Sequence, residues 1–196
     1  ICFNTFSQKT FTLTSPSEKI KISIRITDSV YYSLEVNKHQ VLNPSAIALL
    51  THRTKLGINA QVTGTKTRSV NEMIVNPVPY KRKNIPDHFN ELTVIFRENF
   101  SIIFRAYEDG IAYRFQTRFS DSVQVNQEVA TFRFSNQATV FFSEVQKRDR
   151  LDTYHTSFEE PYRILSLPEV TETQRSFTPV LVDESTIKAV ITESDL

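Results

Sequence analysis

The adjacent carboxylates Glu159 and Glu160 are the side chains of this sequence whose types and spacing best suit a chemical role. They follow Phe158 and stand before a proline and an apolar stretch. Carboxylate oxygens suit calcium, which takes about six to eight oxygen ligands and tolerates irregular geometry. Two acids supply one or two of those ligands, so other residues, waters or another domain must complete the shell. The alternative is an exposed pair in front of a strand, and the local sequence leaves both interpretations open.

Other motifs for catalysis or ligand binding are missing from the sequence. It contains no G-x-S-x-G motif, and its single cysteine, Cys2, lies at the terminus and allows no internal disulfide. The three glycines are isolated from one another, so they cannot build a phosphate-binding loop. The basic cluster at residues 81–83 is interpreted as part of a solvated loop rather than as an anion site. The histidines show no ligand spacing and are interpreted as turn or surface residues: His39, His52, His88 and His155.

Composition and charge exclude several classes of partner. The chain has 196 residues, with 23 basic and 22 acidic side chains and a net charge of +1. This balance provides no general field that would hold nucleic acid or an anionic membrane surface. No stretch approaches the roughly 20 apolar residues that a membrane-spanning helix needs. We therefore expect a folded domain with no nucleic-acid partner and no membrane span.

The two ends of the chain suggest that it is part of something longer. Residues 1–7 are interpreted as the tail of a secretory signal peptide, and Gln8 as the start of the mature domain, which extends to residue 196. A lipid-anchored Cys2 and a frayed terminus are the alternatives. The chain stops at Leu196 directly after a strand signal, which indicates a truncated C-terminal end.

Alternation of apolar and polar residues dominates the sequence and predicts an all-β fold with little helix. In residues 19–27, four isoleucines occupy alternate positions, and residues 29–36, 91–98, 100–107 and 111–119 continue the pattern. The Asp109–Gly110 pair predicts a tight turn with a positive φ. About ten to thirteen strands joined by short turns predict a large antiparallel β-sandwich.

Two further local predictions concern less regular segments. Residues 129–134 and 138–142 are expected to form a hairpin that turns at residues 135–137. Residues 76–87 hold three prolines and the basic cluster, so a surface loop is expected there, because proline removes a donor from the strand ladder.

Four strings of the sequence resemble glycoside hydrolase family 97. They occur in the family's order and span nearly the whole chain: LTSPSEKIKISI at residues 13–24, HFNEL at 88–92, FRAYEDGIAYRF at 104–115 and ITESDL at 191–196. Each string alone is weak evidence for the family, and the four together are fairly specific to it. The resemblance implies a galactose-mutarotase-like super-sandwich that precedes a catalytic (β/α)₈ barrel and a small C-terminal β domain.

The resemblance also implies an activity. Family members are calcium-dependent α-glucosidases and α-galactosidases, mostly from Bacteroidetes, that are secreted to the periplasm and act on α-linked oligosaccharides. The catalytic carboxylates and most calcium ligands belong to the barrel, so this chain is expected to hold no catalytic residue and no calcium by itself. Its partner is that barrel, which it caps and to which it lends one glutamate.

In the family, one loop of this domain provides the glutamate that binds calcium. Aligning that loop on Tyr162 and Ile164 places Glu159 at the position of this glutamate, with Glu160, one residue away, as the second choice. The sequence does not distinguish glucose from galactose, or retention from inversion. The alternative function is a non-catalytic carbohydrate-binding or interaction module. The aromatic content, 15 Phe and 7 Tyr, favours that alternative, and the absence of Trp, a common sugar-stacking residue, counts against it.

Overall fold

The structure is a computed structural model that describes residues 8–78, 81–146 and 158–194. The predicted signal-peptide tail, Cys2 and His155 lie outside these residues. The chain forms two compact units, Ile1–Arg133 and Phe134–Leu196.

Fourteen strands and one 3₁₀ turn occur in the described residues. In chain order they are β1 (Lys9–Thr14), β2 (Ile20–Ile26), β3 (Val30–Val36), β4 (His39–Thr51), β5 (Lys55–Leu56), β6 (Val62–Val75), β7 (Asn84–Phe96), β8 (Phe100–Tyr107), β9 (Ile111–Thr117), β10 (Val125–Ala130), β11 (Thr139–Phe142), β12 (Arg163–Ser166), the 3₁₀ turn (Leu167–Glu169), β13 (Val180–Asp183) and β14 (Lys188–Ile191). This confirms the all-β class with little helix. None of the described helical residues forms a segment long and apolar enough to cross a membrane.

Two antiparallel sheets make the sandwich of the first unit. The first sheet has the order β1–β2–β3–β4–β10, with β5 also paired to β4, and the second has the order β6–β7–β8–β9. The alternate isoleucines of β2 are all buried, as their spacing predicts. Tyr32 of β3 and Tyr113 of β9 approach to 5.8 Å between ring centroids, which shows that the inner faces of the two sheets meet. The predicted antiparallel sandwich is confirmed.

The second unit contains a third antiparallel sheet, with the order β12–β11–β13–β14. The predicted hairpin of residues 129–134 with 138–142 is wrong, because β10 pairs with β4 and β11 pairs with β12 and β13. Ser135 lies in the connection between β10 and β11. Its backbone N–H and its hydroxyl both donate to the carboxylate of Glu184, each at 2.8 Å. Because Ser135 and Glu184 are 49 residues apart, this contact holds the connection in a conformation other than the tight hairpin turn that the local sequence predicts.

The loop expected at residues 76–87 is only partly correct. Residues 84–87 belong to β7, and Pro86 lies opposite Met73 of β6. Proline is tolerated there because β8 does not begin to pair with β7 until Phe89, so β7 has a neighbour on one side only.

The turn predicted at Asp109–Gly110 forms, and the N–H of Tyr107 donates to the carbonyl of Gly110 at 2.9 Å. Its expected conformation is wrong, since Gly57 is the glycine with a positive φ among the described residues. The turn therefore closes without the left-handed geometry that Asp-Gly usually supplies.

Replacing Gly57 with alanine should destabilise the first unit by about 2 kcal/mol, because a side chain is strained at positive φ. The φ of Gly57 is +90°, and an added Cβ would lie 3.0 Å from the carbonyl oxygen of Ile47. Gly110→Ala is the matched control, because that site has open space around it. Urea denaturation midpoints of the two variants test this prediction, and equal midpoints would contradict it.

Candidate functional site

Glu159 and Glu160 lie on an exposed loop directly before β12. We call residues 158–162 the acidic loop. Pro161 follows the two glutamates, and regular strand pairing begins at Arg163, opposite Phe142 of β11. The two glutamates thus lie directly before the edge strand of the third sheet.

Aromatic packing holds the acidic loop at its start. The ring of Phe158 lies 5.2 Å from the ring of Tyr162 and 6.0 Å from that of Phe177, measured between centroids. The carbonyl of Phe177 accepts a hydrogen bond from the hydroxyl of Ser143 at 2.9 Å, which links this cluster to the end of β11. Tilted aromatic pairs at these distances contribute about 0.5–1.5 kcal/mol each. The aromatic side chains on either side of the glutamates therefore give the loop a fixed base.

A polar cluster holds the loop at its end. The guanidinium of Arg163 donates to one carboxylate oxygen of Glu144, and the side-chain amide of Gln174 donates to the other at 3.0 Å. These two hydrogen bonds, first that of Arg163 and then that of Gln174, hold the pKa of Glu144 below its ordinary value. Glu144 therefore stays ionised and already has two partners, so it acts in positioning Arg163 rather than as a free ligand.

The third sheet beside the acidic loop is apolar on both faces. Cross-strand register places Leu165, Val140 and Val182 in one row, and all three are buried. The opposite face carries a second apolar row, which we call the apolar row: Ile164, Phe141, Leu181 and Val190. Ile164 and Val190 at the two ends of this row are 65% and 60% exposed. An apolar row of this kind, left in water next to two carboxylates, is typical of a docking surface.

Glu159 and Glu160 suit calcium by chemistry but do not form a complete site. Their carboxylates are oxygen donors of the kind that calcium takes. Within residues 8–78, 81–146 and 158–194, no three His, Cys, Asp or Glu side chains gather closely enough to hold a metal ion. The acidic loop could therefore contribute one or two ligands, and the remaining ligands would have to come from elsewhere.

Sequence reasoning found the two glutamates but missed the features that position them. The apolar row had a signal in the sequence, since residues 163–166, 180–183 and 188–191 each contain two or three consecutive apolar residues, and consecutive residues of a strand point to opposite faces. The cluster of Glu144 with Arg163 and Gln174 had none, because its members come together only through the fold.

Comparisons with known proteins agree with this architecture. Residues 13–196 match the family model described as Glycosyl-hydrolase 97 N-terminal. A retaining alpha-galactosidase from Bacteroides thetaiotaomicron is 36% identical over 195 residues, which cover 97% of this chain and 29% of that protein. The family resemblance inferred from the four sequence strings is therefore confirmed.

Solved structures show the same fold. A glycoside hydrolase family 97 enzyme in complex with acarbose, from Pseudoalteromonas sp. strain K8, superposes with a TM-score of 0.72 at 20% identity. A beta-arabinopyranosidase superposes with a TM-score of 0.77 at 22% identity. Both cover 88% of this chain, which spans 26% and 29% of theirs, so it has less than a third of the length of these relatives. The chain belongs to the N-terminal domain family of glycoside hydrolase family 97.

Proposed function

We propose that this chain is the N-terminal domain of a calcium-dependent retaining α-galactosidase. The observation that carries the proposal is its 36% identity to the retaining alpha-galactosidase of B. thetaiotaomicron along almost the whole chain. That relative is more than three times as long, which supports a larger enzyme whose reacting groups lie outside this domain. Export to the periplasm is part of the same proposal and follows from the family resemblance.

In this proposal the domain caps the catalytic barrel of its own polypeptide through the second unit. The apolar row supports this role, because Ile164 and Val190 are large side chains left exposed on a regular sheet. Burying such side chains stabilises a contact by about 25 cal/mol for each Å² removed from water. The occupant is the part of the longer polypeptide that this chain does not include.

The acidic loop adjoins the apolar row, so docking through that row would carry Glu159 and Glu160 to the same junction. Glu159 would complete a calcium shell whose other ligands the barrel provides, with Glu160 as the second choice. Calcium, when bound there, would supply Lewis-acid stabilisation of the departing oxygen. The contribution of this chain is to hold the loop rigid through Phe158 and Arg163.

The activity is tested by assaying the full-length protein on nitrophenyl α-galactoside and α-glucoside, with a proton NMR time course of the first-formed anomer. We expect faster turnover of the galactoside and an α-anomer as the first product, which is the outcome of retention. Faster turnover of the glucoside would overturn the substrate assignment, and a β-anomer would overturn retention. No turnover of either sugar would overturn the proposed enzyme class.

Replacing Glu159 with glutamine should weaken calcium binding by the full-length protein at least roughly tenfold, because even an outer-shell group typically costs that much when lost. Isothermal titration with CaCl₂ measures this affinity. The matched control is Glu160→Gln, which changes the neighbouring carboxylate and should have little effect. The reverse result would assign the ligand to Glu160, whereas unchanged affinity in both variants would remove the acidic loop from the metal site.

A further inference from the structure

The hairpin of β6 and β7 continues past the end of its sheet. β8 pairs with β7 only from Phe89 onward, whereas β6 and β7 stay paired through residues 71–75 and 84–88. We call these two paired segments the β-arm. At about 3.4 Å per residue, the arm extends roughly 17 Å beyond the end of β8. Since a two-stranded ribbon is only marginally stable in water, such an arm gains from an external contact.

The β-arm exposes an unusual amount of apolar side chain for a ribbon in water. Met73, Ile74, Val75 and Ile85 are each between 40% and 60% exposed. Successive residues of a strand point to opposite faces, so both faces of the arm carry apolar side chains. Contiguous exposed apolar groups of this kind mark an interaction surface.

On one face of the β-arm, acidic, apolar and basic side chains follow one another along the ribbon. Residues that are directly opposite in an antiparallel pair share a face, and every second pair along the ribbon lies on that same face. From the sheet towards the tip, this face carries an acidic pair, an apolar pair and a cation: Glu72 with Asp87, Ile74 with Ile85, and Lys83 opposite Asn76. The N–H of Asn76 donates to the carbonyl of Lys83 at 2.8 Å, which fixes this last position of the ribbon.

We propose that the β-arm is a dimerisation element that packs against the β-arm of a second copy of this chain. A twofold axis through the isoleucine pair would reverse the second arm, so that Ile74 and Ile85 of both copies pack together. Asp87 of each copy then faces Lys83 of the other, with Glu72 beside it. Such an interface is isologous, since the same surface serves both copies, and the order of acid, apolar pair and cation is self-complementary under this symmetry.

The tip of the arm strengthens this charge complementarity. Lys81 and Arg82 are exposed beside Lys83, which concentrates positive charge at the end that would meet the acidic pair of the other copy. The apolar part of the arm is smaller than the roughly 800 Å² per partner of a standard stable interface. The dimer is therefore concentration-dependent, and exposed ion pairs make it weaken between about 0.05 and 0.5 M salt.

Sedimentation of the full-length protein over a range of concentrations tests the apolar contact. The double substitution Ile74→Thr and Ile85→Thr should raise the dimer dissociation constant at least roughly tenfold, since it removes two contacts from each copy. Val125→Thr is the matched control, because Val125 is 53% exposed on β10, away from the arm. Circular dichroism spectra and melting temperatures of all three proteins should agree, which excludes a folding defect.

Reversing single charges on the β-arm tests the proposed twofold arrangement of the two arms. Asp87→Lys and Lys83→Glu should each weaken the dimer, because each places like charges opposite one another in both symmetry-related contacts. An equimolar mixture of the two single variants, and separately the double variant carrying both changes, should recover association. A monomer at all concentrations would overturn the proposal, as expected if the rest of the polypeptide or a lipid surface covers the arm. A dimer that no arm variant weakens, or that the mixture fails to restore, would also overturn it.

Discussion

Replacing Phe104 with alanine should lower the free energy of unfolding of the first unit by about 4 kcal/mol, within the range of large-to-small core substitutions of phenylalanine. Phe104 of β8 is 1% exposed. Cross-strand register sets it between Leu92 of β7 and Tyr113 of β9, and its ring centroid lies 6.3 Å from that of Tyr113. Alanine removes most of this apolar area and leaves a cavity that two rigid sheets cannot close.

Urea denaturation followed by circular dichroism measures this loss, a suitable method because the chain contains no tryptophan. The control is Phe132→Ala, since Phe132 is 37% exposed and lies outside the strands. That change should cost less than about 1 kcal/mol. Equal losses in the two variants would mean that Phe104 does not lie between packed sheets.

The strands of the sandwich could be predicted because their signal is local. In β2, four isoleucines at alternate positions define one buried face, and the strand has that periodicity whatever it pairs with. The hairpin of β8 and β9 is similar, since a short turn at residues 108–110 joins two alternating runs. Such features need only neighbouring residues, so one sequence is enough to find them.

Pairing between distant strands could not be predicted in the same way. β10 follows β9 in the chain but pairs with β4, more than seventy residues earlier. The sequence of β10 carries no mark of that partner, because the edge of β4 is complementary to any extended segment. The course of β4 is equally hard to predict, because this single strand continues through Pro44, whereas proline in a sequence usually indicates a break.

The same difference between local and long-range features applies to the functional residues. Glu159 and Glu160 are adjacent in sequence, so the pair is visible without a structure. Glu91 of β7 accepts from two arginines but was not singled out, because these partners are 23 and 14 residues away in the sequence. Arg68, Glu91 and Arg105 meet because they occupy one cross-strand row of β6, β7 and β8.

Replacing Glu91 with glutamine should lower the free energy of unfolding by about 3 kcal/mol at neutral pH, the lower end of the cost of breaking a buried ion pair. Arg68 donates to its two carboxylate oxygens at 2.7 and 2.9 Å, and Arg105 donates at 2.8 Å. The arginine side chains also lie over the ring of Phe89, at 5.6 and 4.3 Å from its centroid. Glutamine keeps the volume but leaves two guanidinium groups without their counter-charge. We expect the lower end of the range for buried ion pairs because Arg68 is 54% exposed and can be hydrated.

The control for this prediction is Glu35→Gln, which breaks another cross-strand ion pair. Glu35 accepts from Lys21 at 3.0 Å, with 29% and 41% of the two side chains exposed. Exposed pairs of this kind contribute about 0–1 kcal/mol, so the effect should be several-fold smaller. Urea midpoints of the two variants at the same pH decide between them, and similar losses would mean that Glu91 acts as an ordinary surface charge.

The pH dependence of the Glu91→Gln effect identifies its cause. The hydrogen bond from Arg68 first, and that from Arg105 as well, hold the pKa of Glu91 below its ordinary value of 4.5. A carboxyl group whose pKa is lower in the folded chain binds protons more readily when unfolded, so its contribution is fully present above pH 4.5 and is lost as the pH falls through the folded value. The difference in stability between the wild type and Glu91→Gln should therefore be constant from about pH 6 to 8 and shrink below about pH 4.5. A difference that persists unchanged at low pH would show that the carboxylate charge is not what stabilises this row, and that shape alone is responsible.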